Sequence, residues 1–441
     1  MMYFSTRDTL RQTSYTLREA AFAGLAPDGG LFMPQSVPNV SLEEVERLSA
    51  LSYADLACYL ARQFFAGDIP SVELDAMVRR IYDFPCPLTK LDDSLSVLEL
   101  YHGPTLAFKD FGARFMGGML GLLGGKDKPL TVLTATSGDT GSAVAAGFLG
   151  VPGVEVVVLY PEGKVSPLQE GQMTTLGGNI HPVRVRGNFD DCQAMVKAVF
   201  SDASFRRDHN VTSANSINVL RWIPQSFYYF YAWAQWKKAS GKESPDIVVP
   251  SGNYGNLTAG MLASAMGLPV RRFIAAANAN RVIPDFLESG KYEPRPSVRT
   301  VANAMDVGAP SNYERMMCLG GSVGNVRRHL WGYSYCDDRI LEAIREIRST
   351  YGFFSDPHAA TGYLAARQSG VEGFYLATAH AAKFGEVIER ATGSHPALPA
   401  ALEAVTRLPR HFTPMDVDIF ALERFIDSHL PAPRLGLCPG L

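Results

Sequence analysis

The chain has 441 residues, more than one ordinary domain holds and enough for two or three around an extended core. Its 41 Lys+Arg and 44 Asp+Glu leave a formal charge of −3 with no long basic run, which excludes a nucleic-acid binder working through a basic field. Hydrophobic residues make up 46% and charged residues 19%, a compact globular profile that excludes a disordered chain.

The opening MMYFSTRDTL is polar and lacks the apolar core of a signal peptide. Residues 1–97 read as a mostly helical domain, because SLEEVERLSA and SVELDAMVRRIYDF carry helical periodicity, the latter with a serine before its acidic first turn. The pattern then changes to alternation. PLTVLTA reads as a buried strand, GSAVAAGFLG as a small-residue helix, VEVVVLY as a strand and SPLQEGQMTTLGG as a helix. HPVRVR and FDDCQAMVKAVF repeat the pair. INVLRWIPQSFYYFYAWAQWKKAS is a long aromatic-rich helix broken near Pro224, whose aromatic run suits core packing. DIVVP, the turn SGNYGN, the helix LTAGMLASAMG and the strand RRFIAAANA follow.

Such alternation implies right-handed βαβ units and mainly parallel sheets, so the predicted fold class is α/β with two lobes behind the helical segment. We expect residues 98–130 and 205–400 to form a large domain, 131–204 a small one, and 401–441 a helix and tail without chemistry. The longest uncharged apolar stretch, around 143–154, is too short and too broken by Gly and Pro to span a bilayer. Cys58, Cys86, Cys192, Cys318, Cys336 and Cys438 are scattered without a C-x-x-C pair, which reads as reduced thiols of a soluble, cytoplasmic protein.

Three stretches carry chemistry. In DIVVPSGNYGNLTAG a strand runs through a Gly/Asn loop into a helix, where Gly252 and Gly255 allow φ > 0 and close approach to a ligand. The free N–H groups and dipole of a helix starting near Asn256 favour a small monophosphate; the competing reading is an ordinary turn. TATSGDTGSA has the same design. There Thr136, Ser137 and Thr140 could hold a carboxylate, or Ser137 or Asp139 could cap the helix, and Asp139 suits an anion site only if it faces a hydroxyl or a cation. The third stretch, HGPTLAFKDFGARFM, sets Lys109 among apolar neighbours. Burial there lowers an amine's pKa and frees it as nucleophile and base, whereas a surface lysine would snorkel. An amine, a monophosphate cradle and a carboxylate loop together suggest pyridoxal 5'-phosphate and an amino-acid substrate.

HGPTLAFKDFGARFM, LTATSGDTGSAVA, GKVSPLQ, SANSIN, VPSGNYGNLTAG, NAMDVGAPSN, DPHAATGY and ATAHAAKF, in this order, strongly resemble the threonine synthase family, from YFSTRD to about residue 425. The resemblance implies a fold-type II pyridoxal-phosphate enzyme (tryptophan synthase β-like) that converts O-phospho-L-homoserine and water into L-threonine and phosphate. By position it implies Lys109 as the cofactor's lysine and Gly252, Asn253, Tyr254, Gly255 and Asn256 as its phosphate cradle. Asp139 falls near the ring hydroxyl and Thr378 at the pyridine nitrogen. Asn215, Asn218 and Arg221 are expected at the substrate, with Lys164 and Arg221 as candidates for its phosphate.

Residues 316–334, MMCLGGSVGNVRRHLWGYS, are glycine-rich where that family is helical, and read as a mobile loop. Their G-x-S-x-G lacks a preceding strand, so a nucleophile elbow is a distant second. His102, His358 and His380 show no ligand spacing, so no metal is expected. The expected partners are the small-molecule substrate and, at most, a second copy in a homodimer, with no nucleic acid and no membrane. A phospho-lyase releasing 2-oxobutyrate, or a silent binding relative, are the alternatives.

Overall fold

The computed structural model describes residues 1–124, 129–136, 138–202, 204–205 and 209–429. Ser137, one of the expected carboxylate-binding residues, and the tail from 430 onward lie outside the described residues.

Two parallel α/β sheets carry the molecule. The large sheet runs Leu330–Ser334, Arg272–Ala277, Asp246–Pro250, Gly373–Ala377, Leu95–Glu99, Leu88–Lys90, parallel except for the last, antiparallel edge strand. The small sheet runs Thr413–Met415, Ile180–Val185, Val154–Pro161, Leu130–Ala135, Asn210–Thr212, all parallel. Its central strands are buried on both faces, as the unbroken apolar runs VEVVVLY and LTVLTA require.

The strands Asn210–Thr212 and Thr413–Met415 edge the small sheet, so that lobe reaches beyond the expected 131–204. The segment after 400 is also more than an appendage. Its helix Ile419–His429 buries Leu422, Phe425 and Ile426 in the core of the small lobe. Both edge strands are three residues long, too short for periodicity to register.

The first 97 residues begin with a small antiparallel sheet, Tyr15–Thr16, Met2–Ser5, Phe32–Pro34, ahead of the expected helices Leu42–Ser49 and Ser71–Ile81. Ser41 caps the first of these by accepting from Glu44 N–H. Ser71 does not cap the second; it is the first helical residue, behind Pro70. These helices share one core with the rest. Tyr53 and Tyr228 both pack on Phe111, with ring centroids 5.4 and 5.2 Å away, and Tyr82 Oη donates to Phe111 O at 3.0 Å. Burying each such ring stabilises the fold by roughly 1.5–3 kcal/mol and fixes the helix Lys109–Leu123, whose first residue is Lys109.

The aromatic segment is broken as expected, into Val219–Trp222, a 3₁₀ turn Ile223–Ser226 holding Pro224, and Phe227–Ser240. Residues 316–334 are ordered, contrary to the loop reading. The helices Tyr313–Gly320 and Val323–His329 lead into the strand Leu330–Ser334. Gly321, at φ 71°, closes the first helix, and Ser322 caps the second by accepting from Asn325 N–H. With a helix in front of Ser322, the nucleophile elbow is excluded.

Candidate active site

Lys109 and Asp139 are brought together by two helices that touch through glycines. Each starts one of these helices, Lys109–Leu123 and Asp139–Phe148. A Cβ on Gly147 would meet Ala113 C at 2.8 Å, so only a bare backbone allows this approach. Lys109 Nζ then lies 3.9 Å from Asp139 Oδ2.

The loop before Lys109 is clamped on both sides. Leu106 adopts φ 56°, a left-handed conformation that costs a non-glycine residue about 1 kcal/mol or more. It is held there by Leu106 N–H donating to Gly103 O and His380 N–H donating to Leu106 O, both at 3.0 Å. Asp110, wholly buried, accepts from Thr105 N–H (2.8 Å) and Thr105 Oγ1 (2.7 Å). Phe108 N–H donates to Thr378 O at 2.8 Å, which sets Thr378 beside the lysine loop. Thr378 is buried, and its hydroxyl has no hydrogen-bond partner among the described residues.

Asp139 does face a cation, but the nearer one is Lys383. Its Nζ sits 2.6 Å from Asp139 Oδ1 and donates to Thr105 O at 2.7 Å, while Gln169 Nε2 donates to Asp139 Oδ1 at 2.8 Å. Burial alone would raise the Asp139 pKa; Lys383 and then Lys109 outweigh it and hold the carboxyl well below the usual range. For Lys109, burial lowers the amine's pKa, Asp139 opposes that, and Lys383 and Arg221 add to the lowering. Sequence reasoning missed Lys383, although Ala381, Ala382 and Phe384 give it the same apolar setting that singled out Lys109.

The second loop follows the strand Asp246–Pro250, hydrogen-bonded to Gly373–Ala377, so it opens at the same carboxyl edge as Thr378. Its left-handed residue is Tyr254, at φ 58°, rather than either glycine. Gly252 is needed for another reason: a Cβ there would come 2.6 Å from Met305 Cα. At Gly255 a Cβ would fit in ordinary van der Waals contact, with no atom nearer than Asn312 Nδ2 at 3.4 Å. The helix Gly255–Ala265 begins its ladder with Thr258 N–H donating to Tyr254 O, leaving the amides of residues 255–257 outside it. Tyr228 and Tyr229 both donate to Asn256 Oδ1, at 2.6 and 2.7 Å, so the side-chain Nδ2 is fixed, buried and without a partner among the described residues. Donors at a helix N-terminus without partners among the described residues fit a phosphate-bearing cofactor.

Asn253 is braced from beneath. It donates through Nδ2 to Ser216 Oγ (2.8 Å), and its backbone O accepts from Asn312 Nδ2 (3.0 Å). Asn312 Oδ1 in turn accepts from Arg315 Nη1 at 3.0 Å, and Arg315 is wholly buried. Arg315 carried no sequence signal of its own, and Asn312 closes NAMDVGAPSN without a role assigned to it.

The remaining expected residues divide. Thr136 Oγ1 accepts from Gly138 N–H (3.0 Å) and Gly141 N–H (2.8 Å), so it, not Asp139, supplies the capping oxygen; Thr140 is half-buried on the first turn. Asn215 Oδ1 accepts from Thr134 Oγ1 at 3.0 Å. Asn218 is spent on structure, accepting from Leu220 N–H and donating to Ala21 O (2.8 Å). Arg221 is buried, its Nη1 donating to Ala214 O at 2.6 Å and its Nε left unpaired among the described residues; burial lowers its pKa to about 10. Lys164 is exposed, after the strand Val154–Pro161, with no side-chain contact among the described residues. Among the described residues no cluster could hold a metal ion, and no helix is long and apolar enough to cross a membrane.

Residues 85–373 match the family described as pyridoxal-phosphate dependent enzyme, residues 2–82 the threonine synthase N terminus, and residues 358–426 the threonine synthase C-terminal family. The chain is 42% identical over 438 residues to the threonine synthase of Escherichia coli K12, across 97% of this chain and 100% of that one. It is 43% identical to the Serratia marcescens threonine synthase, across 98% and 100%. The crystal structure of pyridoxal-phosphate-bound threonine synthase from Brucella melitensis superposes with a TM-score of 0.92 at 35% identity, covering 98% of this chain and 100% of that one.

Proposed function

The chain belongs to the threonine synthase family, with that family's lyase activity, pyridoxal-phosphate cofactor and fold-type II architecture, and on this premise we propose how its own residues perform the reaction. The substrate is O-phospho-L-homoserine, converted with water to L-threonine and phosphate. The observation that carries the reading is the largely buried Lys109 amine, 3.9 Å from a carboxylate that Lys383 already holds at 2.6 Å.

When bound, the cofactor supplies an electron sink for charge developing on the substrate's α-carbon. Lys109 holds it, and its amine, once released, takes the proton from the α-carbon and later returns one there. Burial favours the neutral, basic form of that amine. Lys383 supports the same outcome, because Asp139 paired to a nearer cation grips the Lys109 proton less. A second proton leaves the β-carbon before phosphate departs from the γ-carbon; the γ-carbon then takes up a proton and water adds at the β-carbon.

The amides of residues 255–257 and Asn256 Nδ2 bind the cofactor's phosphate, with Gly252, Asn253 and Tyr254 shaping the loop. The Thr378 hydroxyl would serve the ring nitrogen of the bound cofactor and, being neutral, would leave it unprotonated. The first turn from Thr136 to Thr140, with Asn215, takes the substrate carboxylate. Arg221, buried and with Nε unpaired, suits the leaving phosphate better than the exposed Lys164. Asn218 orients this segment from behind.

We place the enzyme in the cytoplasm as a monomer or homodimer, a reading supported by the free thiols of Cys58, Cys86, Cys192, Cys318 and Cys336. The test is the product. The holoenzyme given O-phosphohomoserine should release threonine and phosphate one to one, whereas 2-oxobutyrate with ammonia as the main products would overturn the reading.

A further inference from the structure

Arg315 is a cation in an unfavourable place for its own helix. It is wholly buried, and it lies on the first turn of Tyr313–Gly320, where the free N–H groups and the helix dipole already carry positive charge. Among the described residues it forms no ion pair. Glu314, whose field reaches it, is turned to Arg7 at 2.8 Å and to Thr6 Oγ1 at 2.5 Å. Cys318, the other titratable neighbour, has its thiol pKa raised by burial and stays neutral. Burial lowers the pKa of Arg315 to about 9, so the charge persists at neutral pH.

The partners of the guanidinium are all neutral. Nη1 donates to Ser216 O (3.2 Å) and Asn312 Oδ1 (3.0 Å), and Nη2 to Phe32 O (3.2 Å) and Ile217 O (2.7 Å). The group also lies over the Trp222 ring, 4.3 Å from its centroid. These contacts satisfy donors and leave the charge without an anion. Buried cations normally have one.

The cofactor loop is one side chain away. Asn312, which accepts from Arg315, donates through Nδ2 to Asn253 O at 3.0 Å and lies 3.4 Å from where a Cβ on Gly255 would stand. Ser216 joins the same two groups from another side, its O accepting from Arg315 and its Oγ from Asn253 Nδ2 at 2.8 Å. The helix Gly255–Ala265 therefore starts beside the start of Tyr313–Gly320. Two positive helix ends and one guanidinium meet at the loop Gly252–Asn256. The side chains bonded to that loop, such as Ser216, Asn312, Tyr228 and Tyr229, are neutral.

We propose that Arg315 is a positioning residue for the cofactor, whose phosphate is the anion that the fold itself withholds. Arg315 holds Asn312, Asn312 holds the Asn253 carbonyl, and the guanidinium attracts the phosphate across that single side chain, where water screens little. The inference rests on the reading that puts the phosphate at residues 252–257.

Pyridoxal, with the same ring and aldehyde but no phosphate, is the probe. The full chain, freed of cofactor, is titrated with pyridoxal 5'-phosphate and with pyridoxal, and binding is read by absorbance. Arg315→Met should weaken pyridoxal 5'-phosphate about tenfold or more and pyridoxal less than about threefold, since only the phosphate senses the lost charge. Arg315→Lys loses the fork of bonds but keeps a cation, and should retain most of the preference for the phosphate form. Equal weakening of both compounds in both variants would show a purely structural arginine and overturn the proposal. Unchanged affinity for pyridoxal 5'-phosphate in folded Arg315→Met would do the same.

Should Arg315→Met not fold, hydrogen exchange of the unmodified chain carries the test. Amides of the helix Tyr313–Gly320 should exchange more slowly with pyridoxal 5'-phosphate bound than with saturating pyridoxal; equal exchange would overturn the proposal. Gly255→Ala separates the two readings. If it keeps full cofactor affinity, the phosphate lies elsewhere and both fall. If it loses affinity while Arg315→Met keeps the preference for the phosphate form, the role of Arg315 alone falls.

Discussion

Lys383 Nζ lies 2.6 Å from Asp139 Oδ1, closer than Lys109 Nζ, which stands 3.9 Å from Oδ2 of the same carboxylate. One buried acid thus serves two buried amines unequally. Lys383 is spent on structure, donating also to Thr105 O, and Lys109 keeps only a loose hold on the charge. We propose that this inequality leaves Lys109 the reactive one.

Lys383→Met should therefore change the pH profile as well as the stability. Removing the nearer cation ends its repulsion of Lys109 and frees Asp139 to bind the Lys109 proton, so the amine's pKa rises. The acid limb of kcat/KM should move to higher pH. Breaking the buried pair should also destabilise the fold by about 3 kcal/mol. An unshifted acid limb in a folded variant would detach Lys383 from Lys109.

Asp110 gives a stability test with a definite sign. Burial raises its pKa to about 6, against its bonds from Thr105. The folded value lies above the unfolded one, so its contribution is complete below about pH 4 and is lost as pH rises through 6. The stability of the native chain relative to Asp110→Asn should fall by about 2–3 kcal/mol between pH 4 and pH 7, read from urea unfolding. A difference independent of pH would contradict the raised value.

Gly255→Ala should separate folding from cofactor binding. The new Cβ meets nothing nearer than 3.4 Å, and Ala suits a first helical turn, so stability should change by less than about 1 kcal/mol. A methyl at this first helical position should crowd a phosphate held by the amides of residues 255–257, and cofactor affinity, measured by fluorescence, should fall about tenfold or more. Gly252→Ala should differ, losing stability as well because Met305 Cα must move. Full cofactor retention in Gly255→Ala would put the phosphate elsewhere.

Thr378→Asp should favour a protonated ring nitrogen, since a carboxylate stabilises the added charge. The absorbance of the bound cofactor should shift and threonine turnover should fall. An unchanged spectrum would place Thr378 away from the ring.

The sequence was most legible where apolar periodicity or turn chemistry acts locally. The strand–loop–helix units at Thr136–Thr140 and Gly252–Asn256 appear where the alternation predicts, and Lys109 starts its helix. Less legible was whatever depends on distant partners. Lys383 is reached only through Asp139 and Thr105, far away in the chain. Arg315 matters through Asn312 and the backbone O atoms of Phe32 and Ile217. The strands 210–212 and 413–415 gain their stability from a sheet already built, so three residues carry no pattern of their own. The turn at Gly321 looked like a loop because two short helices meet there, each ended or begun by a cap rather than by periodicity.

Two buried lysines flank Asp139, and the account assigns the cofactor to one of them. Borohydride reduction of the holoenzyme, followed by peptide mass analysis, tests that assignment most directly. The account predicts the added cofactor mass on the peptide containing Lys109 and none on the peptide containing Lys383, with Lys109→Ala showing neither label nor turnover. Label on Lys383, or on any other lysine with Lys109 unmodified, would contradict it.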